Sequence, residues 1–296
     1  MNNVVLTACT DYSYANIAYF VDSFQKYVSD CDLVIVGGRL PVDTYNRLRV
    51  KNVDFVDINP EYKPVDQSSL NLLRRVKVTR GVRKYYPILF KLFSTATRNF
   101  DGYEYALQGI QSFRYRHYRD YLATRNHVEN IALLDIRDVV FQSNLFSVPC
   151  TSLEFGLEEG INVQPDSFNH RWLSTIAGNK SAMSYIGREV SCSGATFGPR
   201  KEMLEYLNSM DNLLSNNYYP LGPTDQGAHN YIRYEQQIVG IEDVPNRTRR
   251  VQNMQGQTSW ERTGKFIVDY SGNVTPVIHQ WDRHSELSDW PIELLS

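Results

Sequence analysis

Three short apolar runs, VVLTACT (4–10), DLVIVGG (32–38) and VDFVDI (53–58), limit what this chain can fold into. Each is rich in β-branched residues, too short for a buried helix, and followed by polar or glycine punctuation, the pattern of a buried strand. Between the first two lies YANIAYFVDSFQKYV (14–28), where Ile17, Phe20, Val21 and Phe24 recur near helical spacing. Strand, helix, strand, helix, strand predicts an α/β fold with a mostly parallel central sheet flanked by helices and joined by right-handed crossovers. A chain of 296 residues suits one such domain built from two joined halves, about 1–150 and about 151–296.

Composition narrows the function by exclusion. The formal net charge is −2, which gives no overall bias toward nucleic acid, and none is expected as a partner. Cys9, Cys31, Cys150 and Cys192 are scattered, with neither a CxxC pair nor a disulfide framework, so reduced and buried thiols are expected. No signal-peptide pattern or uninterrupted apolar run of about 20 residues occurs, and a cytoplasmic protein is expected. One segment departs from this neutral picture. From Asn71 to Arg98 there are eight basic residues (Arg74, Arg75, Lys77, Arg80, Arg83, Lys84, Lys91 and Arg98) and no acid. This basic insertion, within 60–100, is either a solvated helical region or a surface for anionic lipid or an anionic acceptor; the second reading implies peripheral contact with a membrane through 71–98.

Further along, YALQGIQSFRYRHYRDYLA (105–123) reads as a helix leading into the strand NIALLDI. Loops are expected after Phe146, through FGLEEGINVQPD. SCSGATFGPRKEMLEYLNSM (191–210) reads as strand, glycine turn and helix, with Pro199 near the first helical turn. DQGAHNYIRY (225–234) reads as a short helix, and VTPVIHQWDRH (274–284) as a strand ending in polar groups.

The run IALLDIRDVVFQSNLF (131–146) carries the strongest chemical signal. A core strand leads into Asp135, Arg137 and Asp138, and buried charge costs several kcal/mol unless it is paired or bound to a metal. Carboxylates at the C-terminal end of a strand can hold Mg²⁺ or Mn²⁺, and open α/β sheets bind ligands at that end. In a regular strand Asp135 and Arg137 share one face and Asp138 lies on the other. Asp138 joins Asp135 only if the backbone turns.

Taken with other segments, this motif resembles that of GT-A fold glycosyltransferases, and in motif order glycosyltransferase family 8, the retaining galactosyl- and glucosyltransferases. TACTDYSYANIAYFVDS offers Ala8, Thr10, Asp11 and Tyr14 in the register of the family's opening strand and loop; the resemblance implies contacts to the nucleotide base, with Tyr14 stacked on it. The family's Asp-x-Asp metal motif falls on LLDIRD. Asp135 matches the first Asp and Arg137 falls on the second; either Asp138 takes that role after a one-residue shift, or the second carboxylate is lost. The family's arginine on the preceding helix corresponds to Arg114 or Arg116, for phosphate or ribose contacts. The family's Asp-Gln-Asp helix matches Asp225 and Gln226, with Gly227 in place of the second Asp; the resemblance implies that Asp225 holds donor-sugar hydroxyls and that Gln226 lies near the anomeric carbon. The family's closing metal-binding His corresponds to His279, and Arg283 or His284 replaces a basic residue near the diphosphate.

The resemblance spans about residues 3 to 285. It implies a single GT-A domain over 1–296 whose first half binds a nucleotide-diphosphate sugar, a UDP-sugar in preference, and whose second half binds a glycan or glycolipid acceptor. Mn²⁺ or Mg²⁺ would sit on Asp135, Asp138 and His279. The activity it implies is hexosyl transfer to a hydroxyl with retention. The rival readings are an inverting transferase or nucleotidyltransferase on a related sheet, and a non-catalytic carbohydrate-binding or scaffold protein. TDYSYAN lacks the glycine-rich basic loop that a nucleotidyltransferase would show.

Overall fold

The apolar runs form β1 (Asn3–Thr10), β2 (Cys31–Gly38), β3 (Asp54–Asp57) and β4 (Asn130–Leu134) of a seven-stranded sheet. The structure is a computed structural model that describes residues 2–58, 110–216, 225–255 and 258–296. The basic segment 60–100, with its proposed membrane contact through 71–98, lies outside the described residues. β1 pairs in parallel with β2 on one side and with β4 on the other, and β2 pairs in parallel with β3. The sheet continues through β7 (Glu189–Pro199), β6 (Leu153–Asn162) and β8 (Ile241–Val244) in the order β3-β2-β1-β4-β7-β6-β8. β7 runs antiparallel to both of its neighbours, while β6 and β8 pair in parallel. The sheet is therefore mostly parallel, with one reversed strand.

Helices cover both faces, as a largely parallel sheet requires. On one face lie α1 (Tyr14–Tyr27) and α2 (Val42–Val50). The four residues of 14–28 that recur at helical spacing are all buried on α1, where Ile17, Phe20, Val21 and Phe24 meet Val5, Ile35 and Leu134 of the sheet. Each such side chain contributes about 1.5–3 kcal/mol relative to exposure. On the other face α3 (Ile110–Ala123), α6 (Arg200–Asn216) and α7 (Asp225–Tyr234) bury Tyr118, Met203, Tyr206 and Ile232 against Val4, Leu6 and Leu133. Alternate residues of β1 thus enter two different cores, as the period of a strand demands. α4 (Phe168–Ala177) and the short α5 (Asn179–Met183) connect β6 to β7.

A second, three-stranded sheet of β5 (Val139–Phe141), β12 (Val277–His279) and β9 (Val251–Asn253) packs beside the end of β4. Ser23 fixes α1 to it. The Ser23 hydroxyl donates to Tyr19 O at 2.5 Å and accepts the Phe141 N–H at 3.0 Å. β10 (Glu261–Thr263) and β11 (Phe266–Val268) form a hairpin, and α8 (Trp290–Leu295) closes the chain.

Three expectations change. The stretch read as loops after Phe146 contains β6, whose Glu154 is buried against Arg250 at 2.9 Å. Charge hid the strand because its partner is remote in sequence. β7 runs from Glu189 to Pro199 without a glycine turn, so Gly194 and Gly198 are strand residues and Pro199 precedes the helix. Only residues 277–279 of the final run are strand. Gln280 then adopts the left-handed region (φ 61°), and residues 281–283 form a single 3-10 turn. All four cysteines are buried and unpaired, as expected. Among the described residues, no helix is long and apolar enough to cross a membrane.

Candidate metal centre

β4 is buried at every position, and its end delivers Asp135. The Asp135 N–H still bonds across the sheet, to Gly194 O of β7 at 2.9 Å. Beyond it the backbone turns before β5, and this turn brings Asp138 to the side where Asp135 lies. Asp138 is buried, and its carbonyl accepts the Gln280 N–H at 2.7 Å. His279 ends β12 in register with Val139, one residue from Asp138. Ligand atoms of Asp135, Asp138 and His279 lie within 4.8 Å of one another, a grouping that could hold a metal ion. The choice that the sequence left open falls to Asp138. Arg137 turns away and pairs with Asp282 at 3.3 Å, not with Asp138.

Asn253 determines how His279 presents itself. Its amide nitrogen donates to Gly156 O at 3.2 Å and to Leu157 O at 3.3 Å, so Asn253 Oδ1 is the atom facing His279 Nδ1 at 2.9 Å. An amide oxygen only accepts, so Nδ1 carries the proton. A neutral imidazole then offers the Nε2 lone pair to the carboxylates, as a metal ligand held by an outer hydrogen bond should. Nε2 lies 3.8 Å from Asp135 Oδ2 and 3.6 Å from Asp138 Oδ1, too far for hydrogen bonds. It is fully buried and has no hydrogen-bond partner. An orphaned buried nitrogen facing two carboxylates fits a divalent cation, and the mixed oxygen and nitrogen set suits Mn²⁺ better than Mg²⁺.

Gly194 makes room for this arrangement. A Cβ there would lie 2.6 Å from Asp135 Oδ2, 2.6 Å from His279 Cε1 and 2.9 Å from His279 Nε2. The Cys192 thiol, two residues earlier on the same face, is 3.7 Å from His279 Nδ1, and burial pushes its pKa up to about 11.

Charge is matched from behind by Arg114 on α3. This buried guanidinium pairs with Asp135 through Nη1 and with Asp225 Oδ2 at 3.1 Å through Nη2. For Asp135, burial raises the pKa, but Arg114 and His279 outweigh it and hold the carboxyl well below the usual range. Burial raises Asp138, and repulsion from Asp135 and Asp282 adds to it against the pull of His279. Burial opposes a charged His279, while Cys192, Asp135 and Asp138 favour one, and the balance lies well above the ordinary histidine value, so a cation at Nε2 would have to displace a proton.

The other residues that the resemblance singled out have the following partners here. Arg114 was matched to phosphate or ribose contacts, but its guanidinium bridges two carboxylates. Arg116 reaches Asp211 at 3.3 Å and Ser215 on α6. At the start of α7, Asp225 is buried on Arg114, and burial raises its pKa. Gln226 Oε1 accepts the Ser193 N–H at 2.8 Å and its Nε2 donates to Ser191 O at 2.9 Å, which commits both ends of the amide to β7. At Gly227 α4 crosses close by; a Cβ would lie 2.6 Å from the Trp172 backbone. Ala8 and Thr10 lie on β1, and Asp11, at φ 62°, pairs with Arg39. Tyr14 is buried between α1 and α2, its hydroxyl on Asp22 at 2.7 Å and the Arg47 guanidinium 5.2 Å from its ring centre. It stands apart from the cluster. Arg283 lies 3.7 Å from Asp138, whereas His284 is held by Met254 O at 3.1 Å. Of the two candidates for the basic residue, Arg283 is the one at the site.

Sequence reading missed Asn253 altogether. VQNM carries no signal of its own, and the residue matters only through the pairing of β9 with β12. It also missed Tyr12, whose phenol feels the charges of Arg137, Asp135 and Asp138. No protein-family model matches the chain, and no curated protein shows significant similarity to it.

Proposed function

We propose that this chain is a metal-dependent glycosyltransferase of the GT-A type that moves a hexose from a nucleotide-diphosphate sugar, a UDP-sugar in preference, to a hydroxyl of a glycan or glycolipid. The observation that carries the reading is the gathering of Asp135, Asp138 and the open Nε2 of His279 at the C-terminal end of a parallel strand, next to Asp225. A sheet whose one reversed strand adjoins the motif-bearing strand, with a small second sheet supplying His279, also supports it. Bound there, Mn²⁺ would neutralise charge on a diphosphate leaving group.

The residues around it have distinct tasks in this reading. Asn253 fixes the ring of His279. Arg114 keeps Asp135 ionised and holds Asp225 in place. Asp225 borders the donor sugar, and Gln226 shapes the floor by clamping β7. Arg283 adds positive charge where the diphosphate would lie. A same-face mechanism, in which the leaving phosphate takes the acceptor's proton, accounts for retention without a dedicated base.

The test is a screen of UDP-, GDP- and CMP-sugars for Mn²⁺-dependent hydrolysis, with Asp135→Asn as the control. Hydrolysis of one nucleotide class that is abolished in Asp135→Asn is the expected result. Hydrolysis that persists undiminished in that variant would remove the cluster from the reaction.

A further inference from the structure

β4 and β6 both run antiparallel to β7, so their C-terminal ends lie at one edge of the sheet, the edge that carries Asp135. The chain leaves that edge at the end of β6, forms α4 and α5, and returns to it at the start of β7. α4 therefore stands at the edge where the cluster is, and it meets α7 in the first turn. A Cβ at Gly227, two residues after Asp225, would lie 2.6 Å from the Trp172 carbonyl and 3.0 Å from the Trp172 Cβ. No residue of α4 enters the resemblance.

The apolar residues of α4 divide. Leu173 and Ile176 are buried, Leu173 with Val163, Tyr185 and Val190. Phe168 is 67% exposed and forgoes the gain of burial. It stacks on the half-buried Trp172, one turn along, with ring centres 5.8 Å apart and planes 28° apart. The Arg171 guanidinium lies 5.2 Å from the Phe168 ring centre. That guanidinium is itself tied down, donating from Nε and Nη2 to Asp166 O at 3.0 and 2.8 Å. Ser167 fixes the start of the helix by accepting the His170 N–H at 3.2 Å. Two rings and a guanidinium are thus held in a set relation at the surface.

The patch is too small for a protein partner. Among the described residues, Phe168 is the one large apolar side chain of α4 that is mostly exposed, and a stable interface needs about 800 Å² on each side. Its chemistry suits a single sugar ring. A pyranose carries C–H groups on its faces and hydroxyls around its rim. The electron-rich face of an aromatic ring attracts the first, and a guanidinium donates to the second. Arg171 spends Nε and Nη2 on Asp166, which leaves Nη1 for a ligand oxygen.

We infer that Phe168, Trp172 and Arg171 form a platform for a pyranose ring of the acceptor, on the side of the site bordered by Asp225. This rests on the transferase reading proposed above and narrows its acceptor to a saccharide, whose ring the platform holds while a hydroxyl reaches the donor.

The experiment is isothermal titration of the full chain with maltose, cellobiose, lactose and chitobiose, repeated on Phe168→Ala, Phe168→Leu and Phe168→Tyr. At least one disaccharide should bind, and its affinity should fall about tenfold in Phe168→Ala, as loss of an aromatic contact does. Phe168→Leu should lose as much, because it keeps apolar bulk without a ring face, and Phe168→Tyr should bind as the wild type does. Matching thermal midpoints exclude unfolding as the cause. Affinity unchanged in Phe168→Ala overturns the platform, and so does a wild type that binds none of the four sugars. Full affinity in Phe168→Leu overturns it too, since plain apolar contact would then suffice. A dimer in sedimentation that Phe168→Ala dissolves would assign the patch to a second copy. Phe168-dependent binding to vesicles of phosphatidylcholine and phosphatidylglycerol would assign it to a membrane. Either result overturns the sugar reading. The wild-type hydrolysis screen separates this from the transferase reading. Phe168-dependent sugar binding without donor hydrolysis keeps the platform and removes the transferase; donor hydrolysis with Phe168-independent sugar binding does the reverse.

Discussion

Replacing Gly194 with alanine tests the centre at its tightest point. The added methyl would lie 2.6 Å from an Asp135 oxygen and 2.6 and 2.9 Å from two atoms of the His279 ring, about 1 Å inside ordinary contact. His279 cannot yield. It is fully buried, its Nδ1 is bonded to Asn253, and its backbone is paired on both sides in the second sheet. Asp135 can, because its side chain is 38% exposed and only Arg114 holds it. The methyl should therefore displace the Asp135 carboxylate and spread the ligand set. Overpacking of this kind costs about 1–3 kcal/mol, a drop of about 2–4 °C in thermal midpoint per kcal/mol for a chain near this size. Displacing a ligand by part of an ångström should weaken Mn²⁺ by at least the roughly 10–100-fold seen when an outer partner of a ligand is lost. Isothermal titration with Mn²⁺, or the free-ion signal in electron paramagnetic resonance, reads the second quantity, and differential scanning calorimetry reads the first. An unchanged Mn²⁺ affinity in a folded Gly194→Ala protein would refute the claim that these three side chains form one cation site.

Other substitutions separate the site from its frame. Asn253→Ala should lower Mn²⁺ affinity about 10–100-fold by releasing the His279 ring, measured by the same titration. Glu154→Gln should leave Mn²⁺ binding intact but cost about 3–5 kcal/mol in urea unfolding, because it removes the carboxylate that balances the buried Arg250 charge and leaves that guanidinium with backbone carbonyls alone. His229 should make stability fall with acid. Burial lowers its pKa to about 3, between Tyr206 at 2.8 Å and Ser191 at 2.9 Å, so the fold keeps it neutral while the unfolded chain takes up a proton near 6.5. The unfolded state then binds more protons between these values. His229's contribution is complete above pH 6.5 and falls by about 1.4 kcal/mol per pH unit below it. Urea midpoints from pH 7.5 down to 5 should slope more steeply for wild type than for His229→Gln.

How much of this was legible in the sequence depends on how local each cause is. β1, β2 and β4 were readable because burial on both faces of a parallel sheet demands unbroken apolar runs, and α1 because its buried face repeats at helical spacing. Asp135, Asp138 and His279 were readable as a set only through the order of motifs, since nothing local links position 135 to 279. The face of Asp138 depended on a turn that LLDIRD does not announce. β6 was missed because Glu154 looks like a surface residue until Arg250, 96 positions later, closes over it. The glycines of β7 looked like a turn because a glycine needed for close approach and one needed for a bend are the same letter. Gly194 is there for the ligands it faces, and those come from β4 and β12.

The same distinction explains Arg114. The resemblance matches it to phosphate or ribose contacts, and in this structure its partners are two carboxylates. Its side chain is 8% exposed, and its guanidinium lies between Asp135 and Asp225, which approach from β4 and from the first turn of α7. Without a cation between them, the buried Asp225 and the half-buried Asp135 would each favour protonation of the other. Arg114 instead holds Asp135 ionised, which is the state a metal requires, and ties the Asp225 carboxylate to it at a fixed spacing. The guanidinium thus couples the metal side of the site to the side that opens toward α7.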